Sequence, residues 1–217
     1  MVVARAKQLG NGKKTGAVEV PKDVDKLAWP YEVAQPYSVD FEVEGDAPIL
    51  FHRWNPEVAE AKSKSPKGSK LRKTDNPEDM VTRNAAGELS IGSECFRLGL
   101  SEQAKRIPDP SGGRGTAAKL FKAAIIPQQE LCTFGRDDWD YLDSRRSRVQ
   151  MSSVTRVRPA LMAGWRTSCL VSVATPEYIG ADMLNYALVQ MGRLGGLGDH
   201  RPIFGRFHVT RFEVVEV

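Results

Sequence analysis

Cysteine is scarce in this sequence. Cys95, Cys132 and Cys169 are the only three, widely spaced and odd in number. They make neither a zinc pattern nor a disulfide framework, and a reducing cytoplasm is the expected compartment. No apolar run approaches the roughly 18 residues needed to cross a bilayer, so no membrane partner is expected. The opening stretch MVVARAKQLGNGKK has no apolar signal core, so export is not expected. A P-loop, a dinucleotide fingerprint and a nucleophile elbow are all missing, which removes the common signatures of NTP, dinucleotide and esterase chemistry. Asp199-His200 sets two potential metal ligands side by side without a third, whereas a zinc or manganese site needs three or four converging groups. Asp199 reads better as a turn residue or an arginine partner. Neither a cofactor nor a metal is expected, and no internal repeat or domain linker is visible.

What is present is an ordinary globular composition with an uneven distribution of cations. The 217 residues are 41% hydrophobic and carry a net charge of +4, enough for one core and permissive of a nucleic-acid partner. Ala61 to Lys73 holds Lys62, Lys64, Lys67, Lys70, Arg72 and Lys73 with no acid, and its serines, proline and glycine predict a flexible loop rather than a helix. Arg145 to Arg158 holds Arg145, Arg146, Arg148, Arg156 and Arg158, again with no acid. It alternates, which predicts a strand or bent hairpin with Arg148, Arg156 and Arg158 on one basic face. The third segment, Gly192 to Val209, includes Gly195, Gly196, Gly198 and Gly205 among Arg193, Arg201 and Arg206. Successive N–H groups in such a glycine-rich turn can cradle an anion, and arginine forks suit phosphate. A helix C-cap followed by a tight turn is the alternative account of the same glycines.

Between these segments lie the elements of a fold. Residues 1–36 read as an extended basic arm, and 37–217 as one domain. Tyr37 to Glu44 alternates as a half-buried strand, and Ile49-Leu50-Phe51 resumes it after Gly45-Asp46-Ala47-Pro48. A helix follows Ser93 or Gly92 as N-cap. Leu120 to Ile126 reads as a short buried strand, and Thr167 to Ala174 as another. A helix from about Ile179 to Arg193 is expected to turn Ile179, Met183, Tyr186, Ala187 and Met191 inward. Phe204 to Val217 alternates as the last strand. The order predicts an α+β fold: a ferredoxin-like or RRM-like β-α-β-β-α-β core. Its loops are enlarged, with insertions at about 52–88 and 127–160, the second a basic hairpin.

Two segments of this sequence carry a family resemblance. Leu89-Ser90-Ile91-Gly92-Ser93-Glu94-Cys95-Phe96-Arg97 is similar to the segment that opens the first helix in the RAMP superfamily, the RRM-like proteins of CRISPR effector complexes. There an I-P-G-S-S-x-x-G-x-x-R pattern is usual. Ile91, Gly92 and Ser93 match in type; the proline is missing, and Glu94 and Cys95 replace small residues. Leu194 to Phe207 resembles the superfamily's G-G-x-x-x-R-G-x-G loop, with Gly195, Gly196, Gly198, Arg201 and Gly205 in the corresponding region and Pro202-Ile203 as a departure. Arg158-Pro159, Gly164-Trp165 and Gly196-Leu197-Gly198-Asp199 are also similar to stretches in phage and prophage proteins. The superfamily resemblance implies RNA binding, with Ser93 and Arg97 among the contacts. It also implies head-to-tail stacking of copies along a strand, with other ribonucleoprotein subunits as further partners.

His52-Arg53-Trp54 follows the first strand. Trp54 is the better stacking candidate, and Trp165, beside Gly164, reads as core. Metal-independent RNA-processing members of the superfamily carry a catalytic histidine near the position of His52. Three functions stay open at this point: a non-enzymatic protein coating single-stranded RNA as an oligomer, an endoribonuclease using His52, and a phage protein that binds single-stranded DNA or acidic scaffold partners.

Overall fold

The computed structural model describes residues 34–66, 69, 76–149 and 152–215, with side chains for all of these except 146–149 and 152–154. Strand β1 (Tyr37–Gly45) shows why the alternation matters. Val39, Phe41 and Val43 are fully buried, while Ser38, Asp40, Glu42 and Glu44 point the other way. β1 is flanked by β9 (Arg166–Val173) and β10 (Phe207–Val215), and β9 carries β5 (Ile125–Pro127) on its far side, all antiparallel. With helix α2 (Glu94–Gln103) between β1 and β5, and α4 (Ala181–Gln190) between β9 and β10, the core is β-α-β-β-α-β. Across the sheet the core strands run fourth, first, third, second. This is the ferredoxin-like arrangement expected from the sequence. Phe96 of α2 meets Phe41 and Phe207 edge-on, with ring centroids 5.1 and 6.4 Å apart. Each such fully buried phenylalanine contributes about 1.5–3 kcal/mol. Trp165 is core, as expected, donating from Nε1 to the Ala47 carbonyl at 2.8 Å.

Two excursions leave this core. Between β1 and α2 come β2 (Ile49–Leu50), α1 (Pro56–Lys64), a 3-10 turn (Pro77–Met80), β3 (Thr82–Arg83) and β4 (Leu89–Gly92). Between β5 and β9 come β6 (Leu131–Thr133), β7 (Tyr141–Val149) and β8 (Ser152–Leu161). β2, β8 and β7 form one small sheet, and β3, β4 and β6 another. The β7–β8 hairpin is the one the alternation predicted, and its register sets Arg145 opposite Arg156 and Asp143 opposite Arg158.

Several local expectations are corrected. Residues 61–64 belong to a helix, not a loop: the Asn55 side chain accepts from the N–H groups of Glu57 and Val58, Pro56 occupies the first turn, and Lys64 pairs with Glu60. Asn-Pro is a helix start that lies upstream of the cationic run and so was missed in reading that run alone. Leu120–Ile126 is mostly helix, α3 (Ala118–Ala124), which buries Phe121 and Ala124 before β5 begins. Alanine and lysine favour that choice. In α4 the buried face is Leu184, Ala187 and Leu188, continued by Met191, whereas Tyr186 is exposed. The last strand starts at Phe207, because Phe204 and Gly205 belong to the preceding turn. Ser93 precedes α2, but its hydroxyl donates to the Gln129 carbonyl instead of capping the helix. Lys67, Lys70, Arg72, Lys73 and the arm as far as residue 33 lie outside the described residues, as do the side chains of Arg146 and Arg148. No helix among the described residues is long and apolar enough to cross a membrane.

Candidate nucleic-acid interface

The sheet face left open by the helices is the first surface to weigh, because RRM sheets stack bases on aromatic residues there. Here its central strand presents Ser38, Asp40, Glu42 and Glu44. The strand opposite presents His208, Arg211 and Glu213, in register with Glu44, Glu42 and Asp40. The cations are engaged locally, Arg211 with Asp40 at 2.8 Å and Arg166 with Glu44 at 2.7 Å. With no aromatic among these residues, the carboxylates on this face repel a phosphate chain and offer it nothing to stack on.

The glycine-rich segment lies elsewhere, against β2. After α4 a π turn, Met191–Gly195, is closed by the Gly196 N–H donating to Met191 O at 2.7 Å. Asp199 N–H donates to Leu50 O at 2.9 Å, and Gly205 N–H to Pro48 O at 2.8 Å. Gly198 (φ +73°) sits so close to β2 that a Cβ would stand 2.5 Å from the Leu50 oxygen. On Gly205 (φ +71°) a Cβ would run into the Leu197 carbonyl. The close backbone approach that these glycines permit is therefore to the protein's own chain. Enlarging Gly196 or Gly198 is expected to cost stability, since a Cβ on Gly196 would stand 2.8 Å from the Phe204 oxygen.

This packing delivers Asp199 to the end of β2. Its Oδ2 accepts from Arg158 Nε at 2.5 Å and lies 3.2 Å from His52 Nδ1, while Oδ1 accepts from the His200 N–H at 2.8 Å. The hydrogen bond from His52, then the His200 amide and Arg158, hold the Asp199 carboxyl well below the usual carboxylate range despite partial burial. Arg158 is buried, so β8 does not present its arginines together to solvent as the alternation suggested. The arginine partner expected for Asp199 is this one.

Around His52 the structure brings together residues far apart in the chain. A cleft of about 140 Å³ is lined by His52, Arg53, Trp54, Lys62 and Arg156, by one acid, Asp79, and by Val58 and Met80. Trp54 is 78% exposed. A second cavity, of about 230 Å³, shares His52, Arg53 and Met80 and extends to Gly92, Cys95 and Asp199. Arg145 lies with its guanidinium 4.5 Å from the Phe204 ring centroid and pairs with Asp143. Other sequence candidates are not gathered here. Arg97 is spent on Glu94 and the Lys122 carbonyl. Lys64 pairs with Glu60, and Ser93 is buried. Arg201 lines a separate groove with Lys105, Lys119 and Lys122, beside α2 and α3. Arg193 and Arg206 are exposed. Sequence reasoning missed Lys119 and Lys122, whose spacing around an alanine-rich helix was the available signal. It also missed the cavity, which no local pattern marks.

No protein-family model matches the chain, and no curated protein matches it. Among solved structures, the chain is similar to one in the Type III-B Cmr-beta bound to cognate target RNA. The identity is 12%, the TM-score 0.44, and the match covers 84% of this chain and 61% of that one. This protein thus spans about three-fifths of that chain's length. The ferredoxin-like assignment rests on the strand order itself.

Proposed function

We propose that this chain binds single-stranded nucleic acid, RNA in preference to DNA, without cleaving it. In this reading it acts as a backbone-type subunit whose copies line up along the strand. The observation that carries the reading is the cleft at the end of β2, where an exposed Trp54 stands among His52, Arg53, Lys62 and Arg156. A flat aromatic face beside cations is what a single strand needs, bases stacking while phosphates meet charge. The preference for RNA, and for a ribonucleoprotein setting, rests on the resemblance of the Leu89–Arg97 and Leu194–Phe207 segments to the RAMP superfamily.

Binding to a labelled 30-nucleotide RNA, followed by anisotropy, is expected to weaken at least tenfold between about 50 and 200 mM salt, because several lysine and arginine contacts release counterions. Trp54→Ala is expected to cost a further factor of about 5 to 150, from a stacking contribution of about 1–3 kcal/mol. Affinity unmoved by both salt and Trp54→Ala refutes the cleft as the interface. In the same titrations, light scattering should show particles that grow with strand length; a monomer or fixed dimer at every length refutes the lined-up assembly.

One observation favours a second reading. An imidazole donating from Nδ1 to Asp199 keeps Nε2 as an acceptor, the state a general base needs to take a proton from a ribose 2′-hydroxyl. If His52 acts so, labelled RNA is cut without divalent metal, leaving 2′,3′-cyclic phosphate ends, and His52→Ala stops it. Intact RNA after long incubation at saturating protein removes this reading.

A further inference from the structure

The cavity of about 230 Å³ behind His52 is distinct from the stacking surface of Trp54, which does not line it. It is smaller than the roughly 300–1,000 Å³ that drug-sized ligands occupy. Leu50, Phe51 and Ile91, all buried, give it apolar walls. Polar groups line it as well: Asp199 and His52, with Arg53, Thr82 and Ser90. Gly92 lines it too, and a Cβ built on Gly92 meets no atom within 4 Å, so the missing side chain leaves room. Unlike Gly198 and Gly205, Gly92 does not have a positive φ, so nothing in the backbone demands glycine there.

We infer that this cavity receives one base, splayed out of the bound strand, with its N–H edge toward the Asp199 carboxylate. The inference rests on the nucleic-acid reading above. Sequence-specific RNA recognition commonly works this way, with an unstacked base in a pocket read along its edge. A carboxylate has about four acceptor sites, and Arg158, His52 and the His200 amide occupy three of them on Asp199. The remaining capacity is on Oδ1. An ionised acceptor with one site left takes one donor: on guanine either N1–H or N2–H serves, and its neighbour on that edge is a second donor, whereas uracil flanks its single N–H with two carbonyls that a carboxylate repels. Guanine is therefore the preferred occupant and uracil the poorest.

Cys95 supplies a reporter within the cavity. It is partly exposed, whereas Cys132 and Cys169 are buried. The test compares an oligouridylate carrying one central guanosine with the same strand carrying an abasic site there, using the unaltered chain and N-ethylmaleimide at about pH 8.5. The guanosine strand is expected to slow Cys95 alkylation at least fivefold and to bind about tenfold more tightly. The abasic strand should bind without slowing alkylation. Gly92→Val should keep the melting temperature and the abasic-strand affinity, yet lose the guanosine advantage. Equal protection by both strands, or a guanosine strand that binds without protecting Cys95, overturns the base pocket and leaves nucleic-acid binding standing. If neither strand binds, the pocket and the reading beneath it fall together.

Discussion

Gly205→Ala should lower the melting temperature by roughly 10 °C. Two effects add. The residue has φ +71°, and its Cβ would run into the Leu197 carbonyl oxygen, which the turn holds close because Leu197 N–H donates to Gly205 O at 2.9 Å. A left-handed conformation costs a non-glycine residue of order 1–3 kcal/mol, and the collision forces the turn apart, so a total of about 3–4 kcal/mol is reasonable. For a chain of this size each kcal/mol moves the midpoint by about 2–4 °C. Gly198→Val should behave alike, since its Cβ meets the Leu50 oxygen at 2.5 Å. Gly87→Ala is the control. It has φ +85° with nothing within 4 Å, so only the conformational cost, about 1–2 kcal/mol, applies. Thermal melts of the three variants separate collision from strain. Gly205→Ala melting within 2 °C of the parent while binding nucleic acid poorly would return this glycine to a ligand-facing role.

Asp199→Ala is expected to destabilise the fold by about 1.5–3 kcal/mol, because it removes a charge-assisted hydrogen bond to a guanidinium that is only 5% exposed. Pairing it with Arg158→Met should cost less than the sum of the two single losses, since the two side chains share one hydrogen bond; denaturant unfolding of the two singles and the double gives the coupling. The pH dependence has a definite sign. The folded-state pKa of Asp199 is depressed, so its contribution is fully present above the unfolded carboxylate value near 4 and drains away as the pH falls below it. Asp199→Ala should therefore be less stable than the parent at neutral pH and approach it in stability toward about pH 2. A difference between the two that stays constant from pH 7 to 2 would show that Asp199 is not held ionised by its neighbours.

These two variants probe the place where reading along the chain was least informative. The period-two alternation of Val39, Phe41 and Val43, the order of elements and the hairpin from Arg145 to Arg158 were legible, because burial on one face of a strand writes itself into neighbouring residues. That was enough to determine the ferredoxin-like core. Local pattern failed where two structures share one composition. Leu120 to Ile126 is apolar enough for a strand, yet its first part is helix, because Phe121 and Ala124 bury on a helical face. Lys62 and Lys64 looked like loop, yet an upstream Asn55-Pro56 start makes them helix.

For the site, the sequence by itself determined which residues had the right chemistry: the cations, Trp54 and His52, and Asp199 as an arginine partner. Only the tertiary structure decided which of them meet. Arg156 and Lys62 are drawn to Trp54, Arg158 is turned inward to Asp199, and Arg201 is sent to a different groove. The glycines that looked ready for a phosphate are filled by Leu50 and Leu197 of the same chain. The physical reason is that a backbone open to close approach does not specify what approaches it, and in this fold β2 arrives first.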